Sequence, residues 1–384
     1  MLRAADLFSG IGGFSLALDC FDQITTALYC DICPVSRAIL QKQMDRGALP
    51  RAPIHEDVTS LTCRPGEIDL IVGGFPCTGF SSLGKSDGIH NDGSGLINHV
   101  FRLVREAEPA VVFLENVPRI VRFPEYPDIC GLFDGMGYDV HWIRVKASQF
   151  GAPHHRARWF CLCVRRGAQL PELTLRQGLS SLPLFDWSTE PRRTAPKSSW
   201  YRHRNLVLGN TVVPVAARVA FVVLWTGCRM GVDAVLGRTS WPYHPPARAN
   251  DDEPPLSEYR VPMCGMYRDG RIVDMDVHPD IAQCRPHIRI EREFVLDASC
   301  YASPRPRKQT KVQADLMIEP HRMRFLSTPR TIMQSAQYLT KRSYKDLATQ
   351  IRFERSTPDR HLALNNEFVE WMQGYPPGWT SLES

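Results

Sequence analysis

"DLFSGIGGF", Asp6 to Phe14, compresses the end of an apolar strand, a glycine-rich turn and the start of a helix into one stretch. Gly10, Gly12 and Gly13 let the backbone come close to a ligand, and the helix that follows offers its first unbonded N–H groups. A dinucleotide fingerprint would carry glycine at position 15, where Ser15 stands. The turn therefore predicts a nucleoside site without naming the cofactor.

The rhythm around the turn sets the fold class. "RAADLF", "ITTALYC", "IDLIVGG", "AVVFLEN" and "YDVHWIRV" are short apolar runs of strand type, and "FSLALDCF", "PVSRAILQKQM" and "LINHVFRLVREA" between them have helical length and amphipathic spacing. This alternation over the first 165 residues predicts an α/β domain with a mostly parallel sheet, whose ligands sit at the carboxyl ends of the strands. Asp31 in "YCDICP" and Asp57 in "HEDVTS" stand at the next two strand ends. The first is placed to accept ribose hydroxyls and the second an exocyclic amine; each alone also reads as a cap, before Pro34 and Thr59. Together beside the glycine turn they favour a cofactor.

Composition bounds the rest. At 384 residues, 43% hydrophobic and 23% charged, the chain has ordinary globular composition and length enough for two domains. No run of about 18 apolar residues stands out as a bilayer span, and "MLRAADLFSG" reads as a strand rather than a leader. The twelve cysteines are scattered, and Cys30 and Cys33 have no second pair at zinc-ribbon spacing, so reduced thiols are expected rather than disulfides or a metal. The net charge of +5 is matched by residues 301 to 330 alone, where Arg305, Arg307, Lys308, Lys311, Arg322, Arg324 and Arg330 face only Asp315 and Glu319. That run reads either as a solvated loop or as a phosphate-contacting stretch. Residues 166 to 205 look like a connector, "NTVVPVAARVAFVVLW" like a turn and an apolar helix, and the chain beyond about 230 is irregular.

"GGFPCTGFSS", residues 73 to 82, places Cys77 at the end of a strand and at the start of a long glycine-rich loop. Lone cysteines are usually core residues, but long glycine-rich loops are typically lids or binding loops. "VVFLENVP" ends a strand with Glu115 and Asn116, a carboxyl placed to donate a proton. In "QFGAPHHRARWF", Arg156 and Arg158 alternate and would share one face of a strand. Each of these also has a plain structural reading as a cap or a salt bridge.

In combination, "DLFSGIGGF", "GGFPCTGFS", "FLENVP", "FGAPHHRAR" and "LGNTVVPVAARVA" resemble, in order, signature blocks of the DNA cytosine-5 methyltransferase family, over residues 3 to about 225. The resemblance implies a Rossmann-like S-adenosylmethionine-dependent methyltransferase domain at 1–228 and a smaller irregular target-recognition domain at 229–384. It implies that Phe8, Gly10, Ile11, Gly12, Gly13, Asp31, Ile32, Asp57, Val58, Pro76, Leu96, Asn210 and Val212 form the S-adenosyl-L-methionine site. Cys77 would be the nucleophile, Glu115 would engage cytosine N3, Arg158 would face O2, and Arg156 would stand with them. Ser81, Ser82 and Lys85 on the loop, with Arg305, Arg307, Lys308 and Lys311, would contact DNA. The implied partners are double-stranded DNA and a cognate restriction endonuclease; a cytoplasmic, nucleoid-associated monomer in a bacterium or phage-infected host is expected, with no membrane and no metal.

Three departures stand out. Thr78 and His154 replace the family's usual glutamines, changes expected to touch loop positioning and DNA contacts. The "GN-x-V-x-P" helix precedes the recognition region instead of following it, and "LNNEFVEWMQGYPPGWT" (364–380), which resembles the block supporting that region, comes last. "VPMCGMYRDGRIVDMD" and "FLSTPRT" look like segments of phage- and prophage-type members with this order. A tRNA cytosine-5 methyltransferase and a catalytically inactive DNA-binding homologue are the rival readings; a dehydrogenase is disfavoured by Ser15.

Overall fold

The computed structural model describes residues 1–76, 95–123, 126–180, 182–197, 200–229, 240–242, 264–268, 271–274 and 362–382. The chain runs β1 (Leu2–Leu7), α1 (Gly13–Leu18), β2 (Ile24–Cys30), α2 (Pro34–Asp45), β3 (Ile54–His55), β4 (Leu70–Gly74), α3 (Ile97–Ala107), β5 (Val111–Asn116), α4 (Tyr126–Gly135), β6 (Tyr138–Lys146) and β7 (Ala157–Arg165). It continues as β8 (Thr194–Pro196), α5 (Tyr201–Asn210), α6 (Pro214–Arg229), β9 (Ser240–Pro242), β10 (Cys264–Arg268), β11 (Arg271–Asp274), β12 (Leu362–Leu364) and α7 (Asn366–Met372).

Among the described residues one sheet has the order β3-β2-β1-β4-β5-β7-β6-β10-β11-β9. The strands from β3 to β5 are parallel, and β7 joins antiparallel to β5. Strand order reverses at β1, which has β2 on one side and β4 on the other. The helices that follow β1 and β4, α1 and α3, therefore lie on opposite faces of the sheet, and at such a point open α/β sheets bind ligands in a crevice outside the carboxyl ends of the strands.

Strand alternation sorts the side chains onto two faces. Ala4, Leu70, Val72, Phe113, Phe160 and Leu162 lie on one, under α1, α2, α5, α6 and α7; Ala5, Leu7, Ile71, Val112, Leu114 and Cys161 lie on the other, under α3 and α4. On α3 the buried stripe Ile97, Val100, Phe101, Val104 has the spacing that sets one helix face on a core, and the helix stops at Glu108, left-handed at φ 49°, before Pro109. Aromatic contacts knit the first face: Phe113 stacks on Phe160 at 5.7 Å and meets Phe14 and Phe221 edge-on.

Two expectations change here. Tyr201–Cys228 is apolar and long enough to cross a membrane by composition, contrary to the expectation of no such run. It is two core helices, α5 and α6, broken at 211–213, and 83% of its apolar window is buried. The break is what the Pro214 helix start and the Asn210 end impose. The boundary at 228 also fails for the described segments beyond it. β10 extends the catalytic sheet from β6, held by Asp139 with Arg268 and by Gly265 lying flat on Trp142. Leu364, Phe368, Trp371, Tyr375 and Trp379 belong to the same apolar core as α1 and α6, and β12 pairs with β8 of the connector.

Candidate active site

The cofactor turn is built from left-handed residues: Phe8 at φ 53°, Gly10 at 55° and Gly12 at 83°. Such a turn keeps one shape only when other groups fix it. Ser9 donates its hydroxyl to the Asp6 and Cys30 carbonyls, at 2.5 and 3.2 Å, and accepts from the Cys30 N–H at 2.9 Å, tying the turn to the end of β2. The Asp31 carboxylate accepts the Gly10 N–H at 2.7 Å and the Cys33 N–H at 2.8 Å. Burial raises the Asp31 carboxyl above its usual range, against the pull of those two N–H groups. Asp6, beneath the turn, is wholly buried, takes the Ser15 hydroxyl at 2.7 Å, and is pushed up to about 8 by burial.

The other predicted cofactor residues arrange themselves around this turn. Ile32 is 75% exposed at the mouth of the crevice, an apolar surface beside the Asp31 carboxylate that suits a nucleobase over a ribose. Phe8, Val58 and Leu96 pack in the apolar cluster under α3, and Ile11 and Val212 in the opposite one. Asp57 accepts the Thr59 N–H at 2.8 Å, which holds its carboxyl below the ordinary range, so the capping reading is realised at that position. Arg102 of α3 donates to the Val58 and Leu61 carbonyls at 2.9 and 2.8 Å and steadies the loop. Sequence reading passed over Arg102, whose only signal is a charge on an amphipathic helix. Asn210, at the end of α5, is exposed, and Pro76 is half-buried where β4 gives way to the cysteine loop. The donor set of this crevice therefore fits a nucleoside-bearing cofactor of the S-adenosylmethionine type.

Across the crevice, Glu115 stands next to the last residue of β5 and Arg158 second in β7. Their side chains meet at 2.6 Å between Arg158 Nε and Glu115 Oε1, with 21% of the arginine and 14% of the glutamate side chain exposed. β5 and β7 pair so that Glu115 lies opposite Phe160, which leaves Arg158 diagonal to it on the same face. Gly74 makes the room: a Cβ there would sit 2.9 Å from Glu115 Oε2. The glycines before the cysteine thus have a steric task, and not only a loop to open. Next to Glu115, Asn116 turns to the other face, donates to the Phe75 carbonyl at 3.2 Å and takes the Val117 N–H at 2.8 Å. It anchors the residues that lead into Cys77.

Arg156 does not stand with this pair. It is buried, and its guanidinium donates to the Gly209 carbonyl at 3.2 Å and to the Thr211 carbonyl, holding the end of α5. His154 corrects a second expectation: it is fully buried and donates from Nε2 to the Met372 carbonyl at 2.8 Å, so it docks the last block rather than touching a loop or DNA. Burial lowers its pKa to about 3 and keeps the ring neutral. Cys77, Thr78, Ser81, Ser82, Lys85, Arg305, Arg307, Lys308 and Lys311 lie outside the described residues.

The last block reaches the cofactor turn itself. Trp379 donates its indole N–H to the Ile11 carbonyl at 2.9 Å, and Gln43 of α2 donates to the Trp379 carbonyl at 2.6 Å. Tyr375 bonds the Thr211 hydroxyl and donates to the Val212 carbonyl at 3.1 Å, just above Gly13. Below them, Glu370 accepts Arg204 at 3.1 Å and the N–H groups of Gly378 and Thr380, both at 2.7 Å. The sequence singled out this block as a support for DNA recognition; nothing local in it pointed to contact with the glycine turn.

The chain is 33% identical over 229 residues to the Type II methyltransferase M.CviJI of Paramecium bursaria Chlorella virus IL3A, which covers 59% of this chain and 60% of that protein. It is 32% identical over 164 residues to M2.BsuMI of Bacillus subtilis, covering 41% of this chain and 40% of that one. It thus spans less than two thirds of these relatives' length. A protein described as a DNA modification methyltransferase encoded within an E. coli prophage has a solved structure that is 31% identical over 45% of this chain and 49% of that one, with a TM-score of 0.37. The sequence profile of the family described as C-5 cytosine-specific DNA methylase matches residues 2–209, more than half of the chain. The chain belongs to that family.

Proposed function

We propose that the protein transfers a methyl group from S-adenosylmethionine to C5 of a cytosine in double-stranded DNA. The observation that carries the reading is the Glu115–Arg158 pair, set over a glycine at the strand end that leads to Cys77, one crevice away from the cofactor turn. Gly10, Asp31, Ile32 and Val212 would hold the cofactor, which supplies an electrophilic methyl group when bound.

Cytosine C5 is too weak a nucleophile to accept that group unaided. The Cys77 thiolate adds to C6, and Glu115, which takes up a proton from solvent as the entering base parts it from Arg158, donates that proton to N3, so that C5 gains enamine character. Arg158 faces O2 and balances the Glu115 carboxylate as its proton leaves and returns. Once C5 carries the methyl group, its hydrogen is lost as a proton, the C6–S bond breaks and the thiolate leaves. Because this face of cytosine is hidden in a duplex, the base must swing out, and the loop that begins at Cys77 is the clamp on it.

Residues between 229 and 361 would read the DNA, with Ser81, Ser82, Lys85, Arg305, Arg307, Lys308 and Lys311 on its phosphates. Duplex DNA is preferred to tRNA because a sizeable basic segment is available to work in the grooves. We further propose a monomer acting on the nucleoid of a bacterium or an infected host cell, alongside a cognate restriction endonuclease. A duplex carrying 5-fluorocytosine tests the reaction, since fluorine blocks the proton loss and should leave a covalent adduct on Cys77. The same substitution in a tRNA stem is the comparison; an adduct there and none on DNA would favour the rival substrate.

A further inference from the structure

In sequence, residues 364–380 read as a support for DNA recognition; in the fold, their last turn is packed on the cofactor turn. Three groups hold that turn in its left-handed shape: Asp31 on the Gly10 N–H, Ser9 between β1 and β2, and Trp379 on the Ile11 carbonyl. The first two come from the nucleoside-binding half of the fold, and the third comes from the far end of the chain. Tyr375 joins it by fixing Thr211 and Val212, the residues that close the turn from the α6 side, above a Gly13 that has no room for a Cβ.

We infer that Tyr375 and Trp379 are positioning residues of the methyl-donor site, an inference that rests on the cofactor reading above. Neither side chain needs to touch the cofactor: the indole N–H and the phenol hydroxyl hold the backbone that does. The donor site is therefore complete only when the chain has passed through residues 230–361 and returned.

The test is equilibrium titration of the full-length protein with S-adenosylhomocysteine, for the wild type, Trp379→Phe and Tyr375→Phe. Tyr375→Phe keeps its ring and loses the hydroxyl; Trp379→Phe keeps a smaller aromatic ring and loses the indole N–H. Dissociation constants should rise about three- to tenfold, the range expected for one net hydrogen bond. The methyl-donor KM should rise by a similar factor, with kcat at saturating donor unchanged. Phe133→Leu is the control: this buried ring lies on the opposite face of the sheet, packed on Phe101 and Tyr138, so the variant should lower the melting temperature and leave the dissociation constant alone. Unchanged affinity in both variants overturns the inference, as does an equal affinity loss in Phe133→Leu. Wild-type protein that does not bind the probe overturns the cofactor reading and takes the inference with it.

Discussion

The two lips of the crevice are built in opposite ways. The lip proposed to hold the cofactor is closed from behind by bonds from distant segments: Asp31, Trp379, Tyr375 and, one layer down, Arg204 with Glu370. The lip proposed to carry the reaction is a single ion pair, Glu115 with Arg158, partly open to solvent, on a backbone anchored by Asn116. A site that must hold one ligand in one pose gains from fixed groups, because the ordering cost is met on folding rather than on binding. A site that must admit a base needs groups that can exchange partners, and two opposite charges resting on each other are stable until the base arrives.

That contrast predicts that the lips fail separately. Cys77→Ala should abolish methyl incorporation and the 5-fluorocytosine adduct while S-adenosylhomocysteine binds within about twofold of wild type, since the thiol serves only addition to C6. Residual turnover would put the nucleophile elsewhere. Glu115→Gln keeps the shape and removes the acid, so kcat should fall by about 10²-fold or more with donor affinity steady. Loss of donor binding in that variant would merge the two lips and break the comparison.

On the other lip the effects should be on stability and affinity. Glu370 is 0% exposed and Arg204 7%, so Glu370→Gln leaves a buried guanidinium short of its counter-charge and should cost about 3–5 kcal/mol in urea unfolding. Donor binding should weaken in step, because the block that carries Tyr375 and Trp379 is loosened. Stability equal to wild type would mean that the block docks by its aromatic rings alone.

The smallest effect is on the acid limb. His154 has a folded pKa of about 3, below its value in an unfolded chain, because burial disfavours the imidazolium. The unfolded state therefore takes up a proton that the folded state refuses, and stability present above pH 6.5 is lost as pH falls. His141, lowered to about 4 by burial, acts in the same sense. His154→Gln can still donate to the Met372 carbonyl and has nothing to protonate. Its stability should fall less steeply between about pH 5.5 and 4, by about 1.4 kcal/mol per pH unit. Identical slopes would mean that His154 is already reached by water in the folded state.

How much could be read beforehand follows the range of the forces involved. The strands β1, β2, β4, β5 and β6, helices α1 to α3 and the apolar helix α6 were legible because periodicity and punctuation are local; the two-residue β3 is too short to leave such a signal. The placement of Glu115 near a strand end and of Arg158 on a strand was legible too, though not the ion pair between them. α5 was not legible: "YRHRNLVLGN" is polar enough to pass for connector, and it is helical because Arg204, Leu208 and Gly209 have partners in β7's approach and in the last block.

By itself the sequence determined the layered fold, the glycine turn, the strand-end carboxylates and the family, since each is written in contiguous residues whose spacing has one economical reading. Only the tertiary structure decided which side chains face inward. It sent Arg156 and His154 to hold backbone instead of substrate, made Gly74 the floor beneath Glu115, and brought the last block of the chain onto the first turn. The physical reason is that a buried donor must find an acceptor wherever packing places one, and packing is indifferent to distance along the chain.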